Sequence, residues 1–197
     1  MKKKCLAFII GCLLMAGLAA CGEEEVKIVD KSPGENSAET DEGTEQKNTS
    51  KEDKESLTGY IFDVDVDGTT VSVTTDLEMK GVLEQLGEPA SYFEAKSCAF
   101  EGLDKTYTYD HFRIVTYQDG ETDKISSIVF LDDIEETQEG ICIGMTKEDM
   151  ENAYGTEYEE NGGMVIYTKD DKHLSFLVKD GVIESIEYNS SVLDSTN

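Results

Sequence analysis

The stretch DVDVDG, residues 63–68, carries three carboxylates at alternate positions followed by a glycine. This order is typical of the start of the ligand loop in a helix-loop-helix calcium site, because calcium prefers oxygen ligands. Such a loop also requires a bidentate glutamate at its twelfth position, and that position is Thr74 here. Helices should flank the loop, yet both flanks alternate in β-branched and aromatic residues. We therefore expect no metal at this motif.

The same stretch is better explained as a β-hairpin with Asp67 and Gly68 in its turn. An aspartate-glycine pair suits a two-residue turn because both positions take a positive φ. The predicted pairs across the turn are Val66 with Thr69, Val64 with Val71, and Phe62 with Val73. One face of the hairpin is then apolar, and the other collects polar side chains. These polar residues are Asp63, Asp65, Thr70 and Ser72.

Few other residues have types or spacings that could do chemistry. The histidines, His111 and His173, precede matching strands, which is compatible with a shared site. No cysteine or carboxylate lies at an established zinc spacing around them, so two exposed strand-entry residues are the favoured interpretation. The motifs of nucleophile elbows, zinc proteases and phosphate-binding loops are missing, and carboxylates are too abundant for a pair to indicate acid-base catalysis. We expect no enzyme activity, no cofactor and no metal.

The N-terminal sequence predicts export and membrane anchoring. A basic start, MKKK, precedes an apolar run too short to span a bilayer comfortably, and LAAC follows it. Small residues before a cysteine resemble the lipobox of bacterial lipoproteins. We therefore expect a signal peptide at 1–20, a lipid on Cys21, and a chain held on the extracytoplasmic face of the cell membrane. The alternative is an ordinary secretory signal that ends near a cysteine.

Residues 21–57 are expected to be the lipidated cysteine and an acidic, disordered tether. Residues 22–57 hold twelve acidic residues, five lysines and no aromatic residue, so they cannot bury enough apolar surface to offset their ordering entropy. A tail for a basic partner is the alternative. The formal net charge of the whole chain is −26, which makes nucleic acid and anionic membrane surfaces poor partners.

Two cysteines remain after the signal peptide and the lipid site. Cys98 and Cys142 could form one disulfide, as pairs of thiols in exported domains often do. Cys142, however, lies between two isoleucines and is equally explained as a small buried side chain. Both interpretations stay open at the level of the sequence.

Residues 58–197 are expected to form a single globular domain of two repeats. Each repeat contains an amphipathic helix that ends at a glycine, followed by strands with one buried face. The repeats span about 58–134 and 135–197, and their matching segments are 75–89 with 143–157, 109–120 with 169–181, and 125–130 with 183–188.

The predicted fold class is α+β, a tandem repeat of helix-plus-antiparallel-sheet units side by side after an N-terminal β-hairpin. Thr146, with Asp149 three residues further on, predicts a capping arrangement at the second helix. Thr75 or Asp76 is predicted to cap the first helix.

The unit GMTKEDMENAYG, followed by VIYTKD, LSFLVKDG and VIESIEY, resembles the repeat of the beta-lactamase inhibitory protein and of the small BamE (SmpA) envelope lipoproteins. The first repeat is also similar to small Firmicutes lipoproteins, particularly at LGEPASYFEAKSCAFEGLDKTYTYD. The resemblance implies a non-enzymatic protein that binds another protein with the concave face of its sheet.

Aromatic residues are densest in the enlarged loop of the first repeat and in the strands beside it. Aromatic side chains are favoured at interface centres because they bury much area while losing few rotatable bonds. They would serve equally as core and hairpin packing. The candidate protein-binding residues are Tyr92, Phe93, Phe100, Tyr107, Tyr109 and Tyr117.

Two functional classes stay open. The first is a membrane-anchored, surface-exposed interaction module with an extracellular or envelope protein as its partner. The second is a small-ligand or calcium-binding envelope lipoprotein accessory to transport or sensing. An open concave sheet would favour the first class, whereas a deep closed pocket with converging polar groups would favour the second.

Overall fold

The computed structural model of the chain describes residues 57–196. The predicted signal peptide at 1–20, the lipid site Cys21 and the tether as far as residue 56 lie outside the described residues and stay predictions. Within 57–196, no helix has both the length and the apolar composition needed to cross a bilayer.

The N-terminal hairpin is confirmed, with strands β1 (Phe62–Val66) and β2 (Thr69–Val73). Its register is the predicted one: Val66 with Thr69, Val64 with Val71, and Phe62 with Val73. Asp67 and Gly68 form the turn with φ values of 52° and 82°. Both are left-handed, as a type I′ turn requires, so the local turn chemistry alone explains the register.

The carboxylates of the DVDVDG stretch form hydrogen bonds inside the fold. Asp65 accepts one from the Gly68 N–H at 2.9 Å. Asp63 accepts one from the Ser72 hydroxyl at 2.5 Å and another from the Gln138 side-chain amide at 2.7 Å. These contacts support the interpretation of the motif as a hairpin.

Helix α2 (Lys147–Tyr154) begins with the predicted cap. The Thr146 hydroxyl accepts a hydrogen bond from the Asp149 N–H at 3.1 Å, and the Asp149 carboxylate accepts one from the Thr146 N–H at the same distance. Two of the N–H groups that a helix start leaves unpaired are thereby satisfied.

Helix α1 (Met79–Leu86) begins differently from the prediction. Its N-cap is Glu78, whose side chain makes no capping hydrogen bond, so the expectation that Thr75 or Asp76 caps the helix was wrong. The Asp76 carboxylate instead accepts a hydrogen bond from the Ser190 hydroxyl at 2.5 Å and pairs with Lys172 at 3.3 Å. The Asp76 side chain therefore bonds to residues that are distant in sequence and does not cap the helix.

Eight further strands form one antiparallel sheet. They are β3 (Ser91–Lys96), β4 (Leu103–Thr108), β5 (Phe112–Asp119), β6 (Thr122–Phe130), β7 (Glu159–Asn161), β8 (Met164–Lys169), β9 (Lys172–Lys179) and β10 (Val182–Ser190). Their order across the sheet is β3-β4-β5-β6-β10-β9-β8-β7. A 3-10 helix at Ser191–Thr196 follows β10.

The predicted α+β class of two helix-plus-sheet units was wrong. The described chain is mostly β, with 49% of its residues in strands and 14% in helices. The strands of the two halves join where β6 pairs with β10, through Ile128 with Tyr188 and its neighbouring pairs. Each of these strands would otherwise end a sheet with unpaired N–H and C=O groups, so their pairing satisfies both edges at once.

The core lies between one face of the sheet and the hairpin and helices that pack on it. Phe62 of β1 is fully buried, with its ring centroid 5.0 Å from those of Phe112 and Phe130. Tyr154 of α2 packs on Phe176 of β9 at 5.5 Å. The hairpin therefore covers the centre of the sheet, where β5 and β6 lie, and α2 covers the second half.

Candidate protein-binding face

Alternation along the strands assigns every sheet residue to one of two faces. Ile114, Ile128 and Phe176 represent the core face, under the hairpin and the helices. We call the opposite side the open face. One row of open-face residues crosses five strands in register: Arg113, Val129, Glu187, Ser175 and Ile166.

Arg113 is the single arginine of the chain and projects from this row as an exposed side chain. Among residues 57–196, no carboxylate lies within ion-pairing distance of its guanidinium. Its cross-strand neighbours on this face are uncharged: Val129, which is only 9% exposed, and Thr108. An arginine with five free donors beside apolar surface is the kind of residue that contributes most at protein interfaces.

The six candidate aromatic residues divide evenly between the two faces. Tyr92 pairs with Tyr107 across β3 and β4, and Tyr107 pairs with the core residue Ile114, so these tyrosines share the core face. Phe93 and Tyr117 occupy alternate positions and therefore belong to the open face. The six residues do not form a single patch, because neighbouring positions on a strand point in opposite directions.

Two of the three tyrosines on the core side, Tyr107 and Tyr109, are structural, whereas Tyr92 is 46% exposed. Tyr107 is 8% exposed, and its ring lies 5.1 Å from that of Tyr92. Tyr109 stacks on Phe112 at 4.8 Å and donates its hydroxyl hydrogen bond to the Gly87 carbonyl at 3.2 Å. Burial raises the pKa of Tyr109 to about 12. Tyr107 and Tyr109 thus correspond to the packing interpretation of the aromatic cluster.

The three remaining aromatic residues stay available on the open side. Phe93 is 52% exposed, while Phe100 and Tyr117 pack together with ring centroids 5.1 Å apart. The loop that carries Phe100 is held by the Ser97 hydroxyl, which accepts a hydrogen bond from the Phe100 N–H at 2.9 Å. This contact positions Phe100 above β5 and extends the apolar part of the open face toward β3.

Gly102 allows that loop to lie close to β5. Its φ is 100°, and a β-carbon at this position would meet the Gln118 side chain at 2.0 Å. Only glycine combines this backbone geometry with so close an approach.

The two histidines do not share a site. His111 lies 2.7 Å from Asp132, and the hydrogen bond with Asp132 raises the pKa of this histidine. His173 lies 3.0 Å from Asp194. His111 directly precedes β5 and His173 lies in β9, and β6 and β10 separate these two strands by about 14 Å. Each histidine has its own carboxylate partner, and the possibility of a joint site is not supported.

An open cleft of about 460 Å³ lies where the hairpin tip approaches the β4–β5 turn. Five carboxylates line it, which makes it attractive to cations. They are Asp65, Asp67, Glu88, Asp110 and Glu135. Nevertheless, no group of three histidine, cysteine or carboxylate side chains in the described part of the chain is placed to hold a metal ion. The cleft is neither deep nor closed, so it does not favour the small-ligand or calcium alternative.

Of the two open interpretations of the cysteines, the bridge between Cys98 and Cys142 is not formed, because Cys98 is a free and exposed cysteine. Cys98 follows the edge strand β3, whereas Cys142 is fully buried in the segment between β6 and α2. Cys21, the predicted lipid site, lies outside the described residues.

Neither Arg113 nor the row that it shares with Glu187 and Ile166 was identified from the sequence. Its position between Phe112 and Ile114 already assigns it to the solvated face of β5. The rest of the row depends on the register between β6 and β10, which no local signal in either strand specifies.

Comparison with protein-family models, with curated proteins and with solved structures found no match to this chain. The resemblance to the inhibitory protein and the envelope lipoproteins therefore stays a prediction.

Proposed function

We propose that this chain is a lipid-anchored lipoprotein of the cell envelope that binds another protein through the open face of its sheet, without catalysis. The observation that carries the proposal is the exposed Arg113, which has no ionic partner in the described chain and lies beside Val115 and Val129 on a sheet face that the hairpin and helices leave uncovered. The lipid would be attached to Cys21, and the partner would be an envelope or extracellular protein.

The dimensions of the open face suit a protein partner. Eight strands at about 4.8 Å spacing give a width of about 34 Å, and six residues per strand give a length of about 20 Å. The product is on the order of 700 Å², close to the roughly 800 Å² that each partner contributes to a standard interface. A small molecule would use only a fraction of this area.

The composition of the open face suits the same role. Phe93, the Phe100–Tyr117 pair and Val115 supply apolar contact area near Arg113. Arg113 would meet a carboxylate or a carbonyl of the partner, since its donors lack an ionic partner within the described chain. Interfaces commonly combine aromatic and arginine anchors with polar residues, and Glu187 and Asn189 of β10 supply polar groups on this face.

Photo-crosslinking on intact cells tests the proposal directly. A photoreactive amino acid at Val115, on the open face, is expected to capture a specific protein, whereas the same group at the exposed helix residue Asn152 is not. Adding Arg113→Glu to the Val115 probe should reduce capture at least about tenfold by reversing the charge at the centre. Equal capture at Val115 and Asn152, or capture unaffected by Arg113→Glu, would contradict the proposal.

A further inference from the structure

The two edges of the eight-stranded sheet differ in how they are protected. The β7 edge has only three residues, and two of them, Glu159 and Glu160, are exposed carboxylates. A short, charged strand is the usual defence against pairing with another chain. The β3 edge has six residues, all exposed, and pairs with β4 without a bulge. The short length and the paired carboxylates that protect the β7 edge are therefore absent from the β3 edge.

The backbone of β3 presents regularly spaced hydrogen-bonding groups to the outside. The Ser97 N–H donates to the Gly102 carbonyl at 3.0 Å, so this pair belongs to the hydrogen-bonded set between β3 and its neighbour. Hydrogen-bonded and non-hydrogen-bonded pairs alternate along an antiparallel ladder. The odd-numbered residues of β3 therefore bond to β4, and the N–H and C=O groups of Tyr92, Glu94 and Lys96 point outward.

The side chains of β3 also suit an interface. Phe93 is 52% exposed and Tyr92 is 46% exposed, which makes them two of the largest apolar surfaces in the described part of the chain. The strand SYFEAK carries one glutamate and one lysine, so its net charge is zero in a chain of formal charge −26. Two copies of this acidic protein would therefore repel one another less along β3 than along β7, which carries two glutamates.

We propose that β3 pairs antiparallel with β3 of a second copy of this chain, about a two-fold axis that passes through Phe93. Phe93 then faces the partner's Phe93 on the open face. Tyr92 faces the partner's Glu94 on the core face. The outward groups of Tyr92 and Glu94 form hydrogen bonds with their counterparts across the axis, and the two sheets become one of sixteen strands.

This register follows from the side chains. A two-fold axis perpendicular to the sheet preserves its faces, so the residue on the axis meets itself. Glu94 on the axis would oppose two carboxylates, which is destabilising. Ala95 on the axis would oppose two methyl groups and would place Phe93 against Ser97, whose side chain is buried. Tyr92 on the axis would also pair two rings, but it would place Phe93 against Ser91 and Glu94 against Ala90. The register centred on Phe93 pairs the two exposed phenylalanine rings, leaves like charges apart and sets the Tyr92 hydroxyl against the partner's Glu94 carboxylate.

Within a single chain, the Tyr92 hydroxyl donates to the Glu94 carboxylate at 2.5 Å. In the dimer, the Tyr92 hydroxyl of one chain faces the Glu94 carboxylate of the other. Each Tyr92 can therefore donate to the partner's Glu94 in place of its own, and the number of hydrogen bonds stays the same. The edge thus needs no rearrangement of its polar groups to accept the second copy.

Cysteine crosslinking of the full-length chain tests the register. In a Cys98→Ser background, Phe93→Cys is expected to give a disulfide-linked dimer under mild oxidation, because facing non-hydrogen-bonded residues have α-carbons about 4.5 Å apart. Thr106→Cys, on the same face but one strand inward, is the matched control and should give none, since the two positions would be about 14 Å apart. A dimer from Glu94→Cys instead of Phe93→Cys would overturn the proposed register.

Sedimentation of the full-length chain tests the pairing itself. Glu94→Pro removes an N–H that points outward and is not used by β4, so the sheet is expected to stay intact while the dimer fraction falls at least about tenfold. Phe93→Lys, at a half-exposed position, should have the same effect by placing two like charges on the axis. A monomer at all concentrations, or a dimer unchanged by both substitutions, would overturn the proposal.

Discussion

At the scale of single residues, most side chains that could take part in chemistry form hydrogen bonds or ion pairs within the fold. Asp63 and Asp65 bond within and beside the hairpin, and His111 and His173 each contact one carboxylate. Arg113 is the exception, because it has no ionic partner in the described chain. Arg113 is therefore the residue whose donors are most available for contact with a partner.

The His111 contact predicts a pH dependence. The hydrogen bond with Asp132 raises the pKa of His111, so protonated His111 stabilises the folded state. This contribution is fully present below the unfolded pKa and is lost as pH rises through the higher folded pKa. Because the pair is partly exposed, we expect at most about 1 kcal/mol.

NMR titration of the two histidines measures this shift, with Asp132→Asn as the comparison. The titration midpoint of His111 should lie above the ordinary value and fall in the variant. The stability difference between the wild type and Asp132→Asn should be largest in mild acid, where the imidazole is protonated and the carboxylate is still charged, and should shrink in alkali. A His111 midpoint unchanged by the substitution would show that the contact does not form in solution.

At the scale of elements, the hairpin acts as a cover for the centre of the sheet. Phe62 projects from β1 among Phe112, Phe130 and Tyr188, with ring centroids between 5.0 and 6.1 Å away. A two-stranded hairpin is marginally stable alone in water, so its position depends on this burial. The acidic turn, in contrast, contributes local geometry and little packing.

Truncating this anchor should destabilise the whole domain. Phe62→Ala removes a fully buried ring and leaves a cavity, which typically costs about 3 to 5 kcal/mol. Ile134→Ala is the matched control, since Ile134 is 61% exposed and the substitution should change stability by less than about 0.5 kcal/mol. Chemical denaturation of both variants gives the two values. Equal losses would show that the hairpin does not cover the core.

At the scale of the whole molecule, the sheet is continuous and the charge is strongly negative. The formal charge of −26 is spread over a chain with 43 acidic and 17 basic residues. Self-repulsion of this kind disfavours the compact state, and salt screens it. The acidic cleft at the hairpin tip concentrates the effect, because Asp67, Glu88 and Asp110 all line it.

The melting temperature is therefore expected to rise with sodium chloride between about 0.01 and 0.15 M, where the Debye length falls from about 30 to about 8 Å. Neutralising two cleft positions, Glu88→Gln and Asp110→Asn, should raise the melting temperature at low salt and flatten its salt dependence. Calorimetry over this range gives both quantities. A melting temperature that falls with added salt would contradict this account of the charge.

The sequence by itself determined the features that depend on near neighbours. The Asp67-Gly68 turn specifies the register of the hairpin, and Thr146 with Asp149 specifies the start of α2, because both act over two to four residues. The alternation of Phe112 and Ile114 likewise identifies a strand with one buried face.

Only the tertiary structure decided how distant strands combine. The pairing of Ile128 with Tyr188 joins residues sixty positions apart, and it turns two predicted units into one sheet. It also aligns Arg113 with Glu187. Local patterns indicate that a strand has a buried face. Which strand pairs with it depends on which pairing buries the most apolar surface and leaves the fewest unpaired backbone groups.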